Sequence, residues 1–147
     1  MLKEEVISKW GNYNGSQKKP VDFDKFWDKA KLEVDTLGTE YQLEKMLLPS
    51  KQVDCFLLTF TGVGGSKVSC QMICPKKCMK PLPALLQFHG YHSSSGDWSD
   101  KIGLASEGMI VFAMDVRGQG GISEDGSSTK YATLRGHLIR GIEEGAE

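Results

Sequence analysis

The sequence predicts an α/β fold, and three observations predict it. Pro83-Ala84-Leu85-Leu86-Gln87-Phe88 and Ile110-Val111-Phe112-Ala113-Met114 are short, nearly continuous apolar runs. Runs of that kind suit parallel strands covered on both faces by helices. Between them lie a Gly/Ser loop and a short helical stretch over 99–107, which completes a βαβ unit. Ahead of them, two strand-like stretches flank Gly62-Val63-Gly64-Gly65, which predicts an antiparallel hairpin.

The elements follow in order. Residues 9–20 hold Gly and Pro among Asn, Ser, Gln and Lys and read as an extended arm. Asp22 can cap a helix whose apolar face is Phe23, Phe26, Trp27, Ala30, Leu32 and Val34 and which ends near Gly38. Residues 41–48 are a mixed strand candidate stopped by Pro49. Residues 53–61 place Cys55, Leu57, Thr59 and Thr61 on one face and Phe56, Leu58 and Phe60 on the other. Residues 67–74 return as the hairpin partner, and the character changes at Pro81 to the βαβ unit. A final amphipathic segment runs over 138–146. We expect one domain over 1–147, with the arm and helix in 1–40 and the first part of a sheet in 41–147. No internal repeat or low-complexity tract is present.

Composition excludes several classes. Leu, Ile, Val and Phe supply about a quarter of the chain, above the roughly 20% below which chains tend to remain disordered. Lys and Arg number 18 against 19 Asp and Glu, and the pI is near 6.3, which argues against a nucleic-acid partner. The apolar runs are far shorter than the roughly 20 residues a membrane span needs. Lys3, Glu4, Glu5 and Lys9 interrupt any signal-peptide core. The expectation is a soluble cytoplasmic protein.

Cys70, Cys74 and Cys78 recur every four residues, as on a helix face. Val68, Cys70, Met72 and Cys74 nevertheless alternate with polar Ser69 and Gln71, and Pro75 breaks the run, so the local period is that of a strand. With no CxxC pair and the histidines far off, the cysteines read as small buried hydrophobes and no metal is expected.

The chemistry gathers after the two apolar runs. The first leads into His89-Gly90-Tyr91-His92-Ser93-Ser94-Ser95-Gly96-Asp97-Trp98. A strand that ends in His-Gly and opens a polar loop resembles the oxyanion loop of α/β-hydrolases, where a backbone N–H faces the charge of a tetrahedral intermediate. The second leads into Asp115-Val116-Arg117-Gly118-Gln119-Gly120-Gly121. This lacks G-x-G-x-x-G spacing and follows the wrong strand for dinucleotide binding.

Together with Pro20-Val21-Asp22-Phe23-Asp24-Lys25-Phe26-Trp27 and Gly136-His137-Leu138-Ile139-Arg140-Gly141, these motifs resemble carbohydrate esterase family seven. That family comprises the acetyl xylan esterases and cephalosporin C deacetylases. The resemblance covers nearly the whole chain. It implies the N-terminal portion of an α/β-hydrolase, with a helical arm and an antiparallel hairpin before the parallel strands. It further implies a Ser–His–Asp esterase acting on acetylated sugars or small acetyl esters, without a cofactor, as a homo-oligomer in the full-length enzyme. The Tyr91 backbone amide would be one oxyanion donor. The family's Gly-x-Ser-x-Gly elbow is absent: Gly121-Ile122-Ser123-Glu124-Asp125 comes nearest and lacks the closing Gly. The triad is therefore expected beyond residue 147, which would leave this chain inactive alone. Ser93 stands where many family members are expected to have Gly.

Other roles remain open. His89 suits a hydrogen bond to neighbouring backbone better than a base. His92 could line the acyl or sugar pocket or simply be solvated. His137 reads as a packing or capping residue. Ser94 or Ser95 with His92 would be productive only in close, oriented contact, which loop serines rarely have. Asp115 and Arg117 read as a loop ion pair holding the turn of Gly118, Gln119, Gly120 and Gly121. Trp27 and Trp98 read as packing residues, with a sugar platform as the alternative. A non-catalytic sugar-binding or assembly module is the rival to the esterase. With the nucleophile strand absent, the strand over 84–88 would present an open apolar edge and drive self-association.

Overall fold

The computed structural model of the chain describes residues 2–77 and 81–126. It falls into two compact units, Met1–Asp35 and Thr36–Glu147. Cys78, His137 and the amphipathic segment over 138–146 lie outside the described residues.

The first unit contains two helices, α1 (Leu2–Gly11) and α2 (Phe23–Asp35). α1 was not foreseen. Its sequence is rich in good helix formers, with Glu4 and Glu5 in the first turn and Lys9 in the last, the orientation that complements the helix dipole. The same charges, read in sequence, served only to rule out a signal-peptide core. The expected arm therefore begins inside a helix. α2 ends at Asp35, ahead of Gly38, and Trp27 meets Phe26 edge-on at 5.5 Å and Phe23 at 6.2 Å. None of its residues is buried.

The second unit is a five-stranded mixed sheet. Its strands are β1 (Tyr41–Met46), β2 (Val53–Thr61), β3 (Lys67–Pro75), β4 (Ala84–Phe88) and β5 (Ile110–Met114), in the order β1-β2-β3-β5-β4. β1, β2 and β3 form an antiparallel meander, and β3 pairs antiparallel with β5. β4 and β5 are parallel, joined through helix α3 (Ser99–Ser106). The β-branched and aromatic runs thus form the expected α/β unit. The sequence did not reveal that β5, rather than β4, would border the meander.

The core is built from Val53, Cys55, Ile73, Ala105 and Val111, with Met46, Trp98, Ile102 and Leu104 packed against it. Ile73 and Val111 face each other in register across β3 and β5, both with no exposure. Burying each contributes roughly 1.5–3 kcal/mol. Trp98 is accordingly a packing residue. β4 is the sheet edge among the described residues, and Leu86 and Phe88 on it are 61% and 62% exposed. No described helix is long and apolar enough to cross a membrane.

Parallel pairing sets Phe88 beside Met114 at the last rung. The loops that leave β4 and β5 therefore emerge side by side, on the carboxyl edge where open α/β sheets place their ligands.

Candidate active site

The two loops are tied together rung by rung. His89, the first residue after β4, accepts the Val116 N–H at Nε2 over 2.9 Å. That nitrogen must then be unprotonated, so Nδ1 carries the hydrogen and donates to the Gly90 carbonyl at 2.8 Å. The imidazole is a brace between strand ends.

Next comes a tight turn. The Ser93 N–H returns to the Gly90 carbonyl at 3.1 Å, enclosing Tyr91 and His92. His92 has φ of 61° and is the one non-glycine residue with positive φ among the described residues. A positive φ at the second corner alone is the signature of a type II turn, which normally places Gly or Asn there. The Gln119 side-chain oxygen accepts the His92 N–H at 2.8 Å. Gly120 donates its N–H to the Ser93 carbonyl at 3.0 Å. A Cβ on Gly120 would begin 3.0 Å from that oxygen and 3.2 Å from the His92 carbonyl, so glycine is what allows the two backbones this approach. The Tyr91 N–H has no acceptor among the described residues. Its ring is partly exposed and stands 4.2 Å from that of His92, centre to centre.

Asp115 anchors the underside. It is buried, with one carboxyl oxygen accepting the Ser95 N–H at 2.6 Å and the other accepting the Ile122 N–H at 3.0 Å. Burial is the largest single influence and would raise its pKa, but the hydrogen bonds from the Ile122 amide and from the Ser95 amide and hydroxyl, with His89 adding to them, together hold the carboxyl below the ordinary carboxylate value. Its carbonyl accepts the Ser123 hydroxyl at 2.7 Å, and Ser123 in turn accepts the Ser69 N–H at 2.8 Å.

The ion pair expected between Asp115 and Arg117 does not form. Asp115 accepts the Ser95 and Ile122 amides instead. Arg117 donates instead to the Val63 carbonyl and lies 3.9 Å from Asp125, tying the β2–β3 turn to the segment after the glycines. Arg117 therefore holds Val63 and Asp125, and Asp115 holds the turn of Gly118–Gly121. Gly118 has φ of 66° and supplies the left-handed corner that starts it.

The serines beside the turn are structural in their contacts. Ser94 Oγ accepts the Gly96 N–H at 3.2 Å, and the Ser95 carbonyl accepts Lys101 Nζ. Lys101 is itself buried and also donates to the Asp97 carbonyl at 2.7 Å, which fixes the start of α3 against the loop. Lys101 is not marked by any motif, and Ser123, the serine of the nearest approach to an elbow motif, is instead a link between Ser69 and Asp115. An isolated Lys in a short helix gives no pattern to find.

A groove of about 430 Å³ runs along β4 and is lined by Leu86, Phe88, His89, Ser94 and Ser95. A larger hollow of about 650 Å³, lined by Thr39, Tyr41, Phe60 and Lys67, lies against β1, β2 and the start of β3. It contains none of the motif residues, whereas a third hollow of about 270 Å³ lies against the groove loop and is lined by Ser94, Ser95, Trp98, Asp115, Gly120 and Gly121. Among the described residues no three His, Cys, Asp or Glu side chains cluster as metal ligands would.

Residues 4–147 match the acetyl xylan esterase (AXE1) family. The chain belongs to the acetyl xylan esterase family. It is similar in structure to part of acetyl xylan esterase 1 from Thermoanaerobacterium sp. JW/SL YS485, with TM-score 0.87 and 40% identity over 94% of this chain. An acetyl xylan esterase from Paenibacillus sp. R4 superposes with TM-score 0.83 and 29% identity over 92% of the chain. The matches span 43% and 44% of those two proteins, so the chain corresponds to less than half of each. Comparison with functionally curated proteins gave no match. The oxyanion-loop resemblance thus sits inside an acetyl xylan esterase scaffold, with both motifs at the carboxyl edge of β4 and β5.

Proposed function

We propose that this chain carries the oxyanion-binding part of a serine esterase that deacetylates acetylated xylo-oligosaccharides and similar small acetyl esters. One observation carries the reading. At the end of β4 the His92 N–H is committed to Gln119, while the neighbouring Tyr91 N–H is left to an acceptor outside the described residues. An amide held rigidly and unpaired at a strand end is what a developing alkoxide needs.

The nucleophile would come from sequence outside these 147 residues, since no Gly-x-Ser-x-Gly occurs among them. The lone chain would then be inactive. The reading extends to acetylated cephalosporins as alternative substrates and to a cytoplasmic homo-oligomer.

The test joins this chain to the unmatched portion of the Thermoanaerobacterium enzyme and follows a chromogenic acetyl ester. The joined polypeptide should turn over, and the lone chain should not. Tyr91→Pro separates the backbone role from the ring. Tyr91 occupies the first corner of the turn, where Pro is favoured, so the substitution removes the N–H without forbidding the turn. It should lower kcat by about 100- to 1,000-fold, whereas Tyr91→Phe should leave kcat near the starting value. A folded Tyr91→Pro protein with full activity would overturn the assignment.

A further inference from the structure

We propose that Gln119 is a positioning residue for the oxyanion amide, acting by locking the central peptide of the Gly90–Ser93 turn. This rests on the reading of Tyr91 as an oxyanion donor.

Type I and type II turns share their end residues and differ by a half-turn of the peptide between the two corners. Here that peptide joins Tyr91 to His92. In the type II state its N–H points to Gln119, and His92 has φ of 61°. A side chain with a Cβ disfavours that region. Without an acceptor, the peptide would be expected to turn over, bringing His92 back to negative φ and exchanging the sides on which the Tyr91 carbonyl and the His92 N–H lie. A carbonyl brought towards the oxyanion site would oppose negative charge there.

Gln119 is equipped to prevent this. It sits between Gly118, at φ of 66°, and Gly120, whose N–H holds the Ser93 carbonyl at 3.0 Å. The loop that carries Gln119 is therefore fixed at the far end of the same turn. An acceptor delivered from a braced neighbouring loop selects one of two turn states. Gln119 needs no contact with substrate to do so.

The experiment has two arms. Tyr91-His92 is the only Tyr–His pair in the sequence, so ¹³C-Tyr with ¹⁵N-His labelling isolates this one peptide by NMR, even in a self-associated sample. In the wild-type chain the labelled peptide should show extended-type Tyr91 shifts and a downfield His92 amide proton. Gln119→Met, which keeps bulk and removes the acceptor, should move both towards type I values. In the joined polypeptide, Gln119→Met should lower kcat about tenfold with KM little changed, because the lost contribution is felt in the transition state. His92→Gly removes the conformational penalty, so in that background the effect of Gln119→Met should shrink to less than about threefold.

Unchanged peptide resonances in Gln119→Met would overturn the proposal, as would an equal loss of kcat with and without His92→Gly. If the wild-type joined polypeptide were inactive, the esterase reading would fail, while the labelled peptide would still decide whether Gln119 sets the turn.

Discussion

Gly121 lies so close to the carboxyl group of Asp115 that a Cβ on it would begin 2.1 Å from Cγ and 2.4 Å from either oxygen. The glycine is there because the carboxylate reaches over it to the Ile122 amide. Two residues of one motif thus fill a single space, and the loop after β5 closes only if one of them has no side chain.

Gly121→Ala should therefore destabilise the protein by about 1–3 kcal/mol, as overpacking does in a well-filled interior. The urea midpoint measures it. A midpoint equal to wild type would mean that the carboxylate can move aside, and the close approach would not be a constraint.

Asp115→Ala should cost about 2–4 kcal/mol by leaving the Ser95 and Ile122 amides without their acceptor. The same urea midpoint reads this out, with the groove loop as the region that loosens first in hydrogen exchange. A loss confined to a few tenths would show that water replaces the carboxylate freely.

The carboxyl of Asp115 also predicts a pH dependence. Its pKa is lower in the folded chain than in the unfolded one, so its stabilisation is complete above the ordinary carboxylate value of about 4. It is lost as pH falls through the folded value. Stability measured on the acidic side should decline more steeply for wild type than for Asp115→Asn. Parallel curves would contradict a lowered Asp115 pKa in the folded chain.

Cys70 lies buried on β3, where burial first and the Asp115 charge second push its thiol up to about 11. At pH 8 it should resist alkylation in the folded chain and react on unfolding. Mass spectrometry of iodoacetamide-treated protein identifies the site. Rapid labelling of Cys70 under native conditions would show that the β3–β5 core opens readily.

Much of this was legible in the sequence because the informative residues are local. Continuous apolar runs announced β4 and β5, and the glycine turn announced the β2–β3 hairpin. His89, Gly90 and Gly118–Gly121 marked the loops by residue type. What was not legible is long-range. The placement of β5 between β3 and β4 depends on a crossover that no single segment encodes. The partner of Arg117 proved to be Val63, across 54 residues of chain, and no spacing rule predicts that. α1 was hidden because its charges and apolar residues do not form a clean stripe, although its residues favour a helix one by one.

The account stands most directly on a structure of the joined polypeptide whose nucleophile has been phosphonylated, giving a fixed mimic of the tetrahedral intermediate. It predicts a phosphonyl oxygen about 2.7–3.1 Å from the Tyr91 nitrogen, with the His92 amide still held by Gln119. A phosphonyl oxygen bound only by other donors, with the Tyr91 N–H turned away, would contradict it.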